Sequence, residues 1–246
     1  MKTILFDLPI KISTELIKHF PHGTIQPYSD PNKVLKYSKP SDLIIFYNYH
    51  YRKILKQLNN TLPNKKMSAL NEDRINQLLL LDTITNYPTK KEFYKNISRK
   101  ITLQPDLIYK VGNEQQGKDK YFYPETKILN IYHKNLIVEE LIHGRSIRIL
   151  FIGNQPFAVE QFSNNLLKNV NTYKEEIINP PKELLEDALR IKTFLDKNEY
   201  FSPTIGLDYI YSENKIGFLE LNDMCGIPEQ LEETFIEHLK EIISNA

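Results

Sequence analysis

The sequence has a single cysteine, no tryptophan and only eight glycines in 246 residues. One cysteine excludes an internal disulfide framework and any zinc or iron–sulfur site built from several thiolates. Glycine falls well below the ~7% usual for proteins, so glycine-rich tracts are absent. Neither sign of charge prevails. Lys plus Arg is 32 against 31 for Asp plus Glu, a net charge of +1, and the pI is about 7.7. That balance speaks against a nucleic-acid or polybasic membrane partner. Long apolar runs are missing too: Leu78–Leu81 is far too short to span a bilayer. The opening Met1–Asp7 turns charged too early for a signal peptide. The expectation is a cytoplasmic protein with no internal repeat and no low-complexity tract.

What is present is enough for a packed core: 41% of residues are apolar and 26% charged. The length suits one large domain or a few small lobes sharing a site. Lys2–Phe6 and Asp42–Tyr47 are apolar runs of strand length. Ser13 is placed to cap a helix ending at Phe20, before Pro21-His22-Gly23. A helix is expected over Tyr51–Leu58, and Asn59–Lys66 with Pro63 looks like a boundary. Asn71–Thr83 reads as a helix with its acidic residues in the first turn, where the helix dipole favours them. Asn86-Tyr-Pro-Thr89 breaks it. A Lys-rich stretch leads to a strand at Leu107–Lys110, and Gly112–Lys120 is a polar loop. Tyr121–Thr126 and Leu136–Ile142 are expected strands. Arg148–Ile152 and Pro156–Phe162 form a hairpin. Ser163–Asn179 is polar and irregular, and Pro181 opens a helix to Lys197. Thr204–Tyr211 and Ile216–Leu221 form a second hairpin, and Pro228 starts a last helix. Mixed β/α early and hairpins late define an α+β chain. The first third is expected to be a small β/α unit, bounded by Asn59–Lys66.

Gly112 to Lys118 spells most of a P-loop, but Asp119 replaces the required hydroxyl and a strand follows instead of a helix. The Walker reading is rejected. A plain surface loop remains, or a different phosphate-covering loop with Lys110 just before it. Glu220 and Asn222 are two apart and leave one face of a strand, with Asp208 on the preceding arm. Two carboxylates and an amide oxygen suit magnesium. Alone, such a trio is more often the polar outer face of a hairpin. His19 and His22 straddle a helix end and read as surface residues. Cys225 reads as a small buried hydrophobe close to Asn222. Tyr47-Asn-Tyr-His-Tyr51 ends a strand, where ligands often bind, although aromatic packing explains it equally well.

Taken in order, these segments resemble the ATP-grasp superfamily, closest to the RimK-like carboxylate–amine ligases, from about Asn71 to Pro228. Asp73-Arg74 and the later Pro88-Thr89 are similar to the family's first helix and its exit. Lys110 with Gln116-Gly117 resembles the strand lysine and its phosphate loop. Val138-Glu139-Glu140-Leu141-Ile142 resembles the interlobe hinge, and Gly144-Arg145-Ser146-Ile147-Arg148 the strand entering the core. Gly206-Leu207-Asp208 and Leu219-Glu220-Leu221-Asn222 resemble the paired metal-binding segments.

The resemblance implies two α+β lobes, 68–138 and 139–246, sandwiching ATP and preceded by a small β/α domain at 1–67. Lys110 and Arg74 would contact phosphates beside Gln116 and Gly117. Glu139, Glu140, Leu141 and Ile142 would hold adenine and ribose, partly by backbone, with Ser146 nearby. Asp208, Glu220 and Asn222 would bind Mg2+, and Arg148 would stabilise an acyl phosphate. The implied reaction is phosphorylation of a carboxylate followed by attack of an amine, with a peptide or protein end as one acceptor. Homodimers are common in the family, but no segment here indicates one. The chain departs from the pattern in three places. Arg74 replaces a lysine, Ser146 replaces an acid, and Glu160-Gln161-Phe162 lacks the basic residue expected on the substrate side. The alternatives are an ATP/Mg-binding protein without ligase activity, or a kinase-like member. Lys110→Ala or Glu220→Ala is expected to abolish turnover with the fold intact.

Overall fold

A computed structural model describes residues 2–47, 58, 60–112, 120–163 and 174–246. Three sheets follow one another along the chain. The first is parallel, in the order β2-β1-β3-β4, with β1 at Thr3–Phe6, β2 at Ile25–Tyr28, β3 at Leu43–Phe46 and β4 at Thr61–Leu62. Every residue of β1 and β3 is buried. Continuous apolar runs of this kind mark parallel strands covered on both faces. Strand β2 is not apparent in the sequence because Pro27 interrupts it, and an edge position tolerates that.

Helix α1 spans Ile10–His19 and starts earlier than Ser13. Pro9 occupies the cap, and the Ser13 amide already donates to the Pro9 carbonyl (3.0 Å), one turn inside. Helix α2, Pro31–Tyr37, is capped by Asp30, which accepts from the Asn32 amide at 2.9 Å. The helix expected over Tyr51–Leu58 lies almost wholly outside the described residues.

The single helix expected at Asn71–Thr83 is two. Helix α3 spans Lys65–Glu72 and helix α4 spans Arg74–Leu81. Asp73 ends the first and caps the second, accepting from the Asn76 amide at 3.1 Å. A short acidic side chain is worth more at a helix cap than inside a helix.

The second sheet is antiparallel, in the order β5-β8-β6-β7. Its strands are β5 (Lys91–Thr102), β6 (Leu107–Val111), β7 (Lys120–Phe122) and β8 (Ile128–Glu140). Strand β7 starts one residue before the expected strand and ends well short of Thr126. Strand β8 ends at Glu140, leaving Leu141 and Ile142 beyond it. Strand β5 is hidden in the sequence. Its register against β8 shifts twice, between Tyr94 and Ile97 and between Ile97 and Arg99, which breaks the alternation a strand normally shows.

The third sheet runs β11-β10-β9-β12-β13, all antiparallel. Its strands are β9 (Arg145–Ile152), β10 (Gln155–Phe162), β11 (Lys174–Ile178), β12 (Thr204–Tyr211) and β13 (Ile216–Asp223). Helix α5 (Lys182–Lys197) follows β11, and α6 (Glu232–Ser244) closes the described chain. Strand β11 falls in the stretch read as irregular; its Lys-Glu-Glu-Ile-Ile has no alternation to mark it.

The two faces of this sheet have different tasks. Ile149, Ala158 and Leu207 stand in one row and share a core with Leu184, Ala188 and Ile191 of α5 and Ile75, Leu78 and Leu81 of α4. On the other face, Leu150, Ile152 and Val159 pack against Leu5 and Ile45 of the first sheet and Phe235 and Leu239 of α6. Further along that second face the residues turn polar, and the site begins there. No helix among the described residues is long and apolar enough to cross a membrane.

Candidate functional site

Four polar residues stand on the second face of the third sheet because of strand register. Asp208 of β12 lies opposite Arg148 of β9 on one side and Glu220 of β13 on the other. A register shift between Asp208 and Tyr209 changes the parity of β13. Phe218 therefore enters the core beside Tyr209, at 5.4 Å between ring centroids, while Glu220 and Asn222 face the site.

Arg148 grips Asp208 with both prongs of its fork, Nε to Oδ1 at 2.7 Å and an Nη to Oδ2 at 3.0 Å. Asn222 Nδ2 also donates to Asp208 Oδ2, at 3.0 Å. Burial alone would lower the Arg148 pKa, but the Asp208 carboxylate outweighs it and holds the guanidinium above the ordinary arginine value. The second Nη of Arg148 has no partner among the described residues. Glu220 is paired with Arg74 of α4. Each carboxylate thus already has a cation beside it.

The network behind these strands is also polar. The Gln77 side chain accepts from the Leu221 amide at 3.1 Å and donates to the Leu221 carbonyl at 3.0 Å. Asn71 donates to Asp223 at 2.7 Å. Helices α3 and α4 therefore fix the strand that carries Glu220 and Asn222. Asp187 of α5, fully buried, accepts from Thr85, from the Asn86 amide and from Tyr209 at 2.6–3.0 Å. It anchors the segment leaving α4.

The second sheet supplies positive charge. Lys110 of β6 is 4% exposed and pairs with Glu139 of β8, which is wholly buried. Thr89 donates to the same carboxylate at 2.7 Å, and Lys91 stands 4.0 Å from it. Burial lowers the Lys110 pKa, Glu139 opposing it. Burial would raise that of Glu139, but Lys110 and Lys91 hold it below the carboxylate range.

Lys120 of β7 stands directly opposite Lys110 in register. No carboxylate among the described residues pairs with it. Burial, then Lys110 and Arg74, pushes its pKa well below the ordinary 10.5.

Sequence reasoning therefore finds Lys110, Arg74, Arg148, Asp208, Glu220 and Asn222, and the structure brings them to one place. It misses Lys120, Lys91 and the role of Glu139. Glu139 is the buried counter-ion of Lys110, so its side chain is committed to the sheet. Glu140 pairs with Lys215. The Leu141 amide donates to the Asp106 carbonyl at 2.8 Å. Ile142 packs close to Gly217, where a Cβ would come within 2.5 Å of its Cδ1. Ser146, 1% exposed, reaches Gln161 at 3.4 Å. Gln116 and Gly117 lie outside the described residues.

Cys225 is buried, and burial pushes its thiol up to about 11. Its role is packing: a Cβ on Gly206 would come within 2.9 Å of its Sγ. Tyr47, at the end of β3, donates to the Cys225 carbonyl at 3.3 Å and so ties the first sheet to this site.

Asp208, Glu220 and Asn222 offer hard oxygen donors, and no three His, Cys, Asp or Glu side chains converge among the described residues. That chemistry fits an ion taking most of its ligands from water and phosphate, as magnesium does. It does not fit a thiolate or imidazole metal centre.

No protein-family model matches the sequence, and no curated protein matches it. Solved structures do match. One is D-alanine–D-alanine ligase from Bacillus anthracis complexed with ATP, at 14% identity and a TM-score of 0.63, covering 99% of this chain and 95% of that one. Another is macrocyclase MdnC bound with precursor peptide MdnA, from Microcystis aeruginosa MRC, at 12% identity and a TM-score of 0.63, covering all of both chains. A third is a RiPP-associated ATP-grasp ligase of Chryseobacterium gregarium in complex with ADP and a leader and core peptide. It is 14% identical with a TM-score of 0.64, over 100% of this chain and 97% of that one. The likeness establishes a shared fold, the α+β ATP-grasp fold.

Proposed function

We propose that the chain is an ATP-dependent, ADP-forming carboxylate–amine ligase acting through an acyl phosphate, with a peptide or protein as substrate. The observation that carries this reading is the meeting of Lys110, Lys120 and Arg74 with Asp208, Glu220 and Asn222. A surplus of cations facing a hard-oxygen donor set is what a polyphosphate with magnesium requires. The shared fold supports it, and two of the similar structures hold a peptide.

In this reading Lys110, Lys120 and Arg74 neutralise the phosphates as charge moves during transfer. Asp208, Glu220 and Asn222 would hold Mg2+, which would supply charge neutralisation at the transferring phosphoryl group. The Glu140 and Leu141 amides are already engaged, by the Lys90 and Asp106 carbonyls, so adenine recognition falls to the Glu140 carbonyl and the backbone of Ile142. The free Nη of Arg148 faces the acyl phosphate, while Asp208 fixes the orientation of its fork. The carboxylate substrate takes the phosphoryl group, the amine attacks the acyl carbon, and phosphate leaves with the bonding pair. The cytoplasm, where ATP is supplied, is its place of work, and the RimK-like ligases are its nearest group by motif.

The test is ADP release measured with candidate carboxylates and amines. A ligase releases ADP fully only with both. Release with one acceptor alone would identify a kinase, and no release despite nucleotide binding would identify a binder.

A further inference from the structure

The ligase reading leaves open what brings the attacking amine to Arg148. Strand β11 carries a carboxylate placed for that task. Glu175 pairs in register with Gln161 of β10, which pairs with Ser146 of β9, two residues from Arg148. These residues share the second face of the third sheet with Arg148 and Asp208. Glu175 therefore lies roughly 10 Å across the sheet from the Arg148 strand at ordinary strand spacing.

The local chemistry is organised around Glu175. Gln161 Nε2 donates to Glu175 Oε1 at 3.1 Å, and Ser146 reaches the other end of the same amide at 3.4 Å. Gln161 is buried, so its orientation is fixed by these two neighbours. The other carboxylates of β10 and β11 have cations: Glu160 has Arg145, with Nε to Oε1 at 2.8 Å, and Glu176 has Lys174. Glu175 has no cationic partner among the described residues, and its second oxygen is without a hydrogen bond there. Tyr47 borders the same space. Burial pushes its hydroxyl up to about 12, with Glu175 among the charges adding to the rise.

We propose that Glu175 is the ammonium-binding residue of the acceptor subsite: the acceptor is a primary amine bound on the Arg148 face in its protonated form, which passes one proton to solvent water before its freed lone pair attacks the acyl carbon. The inference rests on the ligase reading and adds the class of acceptor. A half-buried carboxylate held by one hydrogen bond attracts an ammonium and repels carboxylates. Arg148 attracts the oxyanion of the activated acid. The two opposite charges sort the two co-substrates by sign across one face of the sheet.

The experiment is thermal unfolding of the full chain, wild type and Glu175→Gln, with Mg2+ and a non-hydrolysable ATP analogue. n-Butylamine is then added and compared with n-butanol at matched ionic strength. The nucleotide analogue is expected to stabilise both proteins. n-Butylamine at ten times its dissociation constant is expected to raise the wild-type midpoint further, by about 3–6 °C. It is expected to leave Glu175→Gln unmoved, and n-butanol to move neither. Equal shifts in both proteins, or none with the amine, overturn the amine subsite while the nucleotide reading stands. No shift with the nucleotide analogue in either protein overturns the ligase reading and the subsite with it.

Discussion

The second and third sheets meet at the site with opposite electrostatic habits. Around Asp208 the third sheet pairs its ions, Arg148 with Asp208, Arg74 with Glu220 and farther out Arg145 with Glu160, with Glu175 at its edge the exception among the described residues. The second sheet does not. Lys110 and Lys120 face each other across a strand pair, and Glu139 answers only one of them. Uncompensated charge held in place is what a ligand of opposite sign recognises. Compensated charge fixes geometry and can be released when an ion arrives. In the ligase reading the surplus would receive phosphate, and the balanced face would keep positions fixed.

Several substitutions break that contrast. Lys110→Ala has the largest expected effect, because it strands the buried Glu139. Removing one partner of a buried pair costs about 3–5 kcal/mol. Loss of the fold is therefore expected along with loss of activity, against the expectation from sequence that the fold survives. A urea titration of Lys110→Ala beside Lys110→Ala/Glu139→Gln reads this, the double variant recovering most of the loss.

Next is Glu220→Ala, at the balanced face. Substrate-dependent ADP release is expected to fall on the order of 100-fold or more, with the chain still folded by circular dichroism. Unchanged turnover would remove Glu220 from the site.

Lys120→Met sharpens the contrast from the other side. It relieves like-charge repulsion, so the midpoint of unfolding is expected to hold or rise, while nucleotide affinity falls about 10-fold or more. The pH dependence has a definite sign. The folded pKa of Lys120 lies below its unfolded value, so the unfolded chain binds more protons between the two. Through that window stability rises with pH. Nucleotide binding favours the charged form, so affinity falls as pH rises through the folded pKa. Titrating the analogue at several pH values, in wild type and Lys120→Met, shows the slope in the first and not in the second.

The smallest effect expected is from Tyr47→Phe. Removing one 3.3 Å hydrogen bond between sheets is expected to cost about 0.5–1.5 kcal/mol, read in the same urea titration.

The metal-type residues were legible in the sequence because their relation is local. Glu220 and Asn222 are two apart on one strand, and a period of two puts them on one face whatever the rest of the fold does. Lys110 was legible as a charge ending an apolar strand. Its partner was not, because Glu139 reaches it only through the register of β6 on β8, 29 residues away. Lys120 was missed for a similar reason. The sequence signals the strand from Tyr121, and only the hairpin register shows that a second lysine opposes the first. Strand β5 was hidden by its own register shifts, and the break at Asp73 by a run of good helix formers on either side.

Gly217 bears on the mechanics of the molecule. The segment entering the second sheet passes it at Thr89 and the segment leaving passes it at Ile142. A Cβ there would lie 2.6 Å from Thr89 Cγ2 and 2.5 Å from Ile142 Cδ1. Pro88 bridges to Phe218 alongside, and the Phe218 amide donates to the Tyr87 carbonyl at 2.8 Å. Both covalent connections of the second sheet to the rest of the chain thus cross at one bare spot on β13. Any rigid turning of that sheet, toward the third or away, has its pivot there. A side chain at position 217 would press on both connections at once.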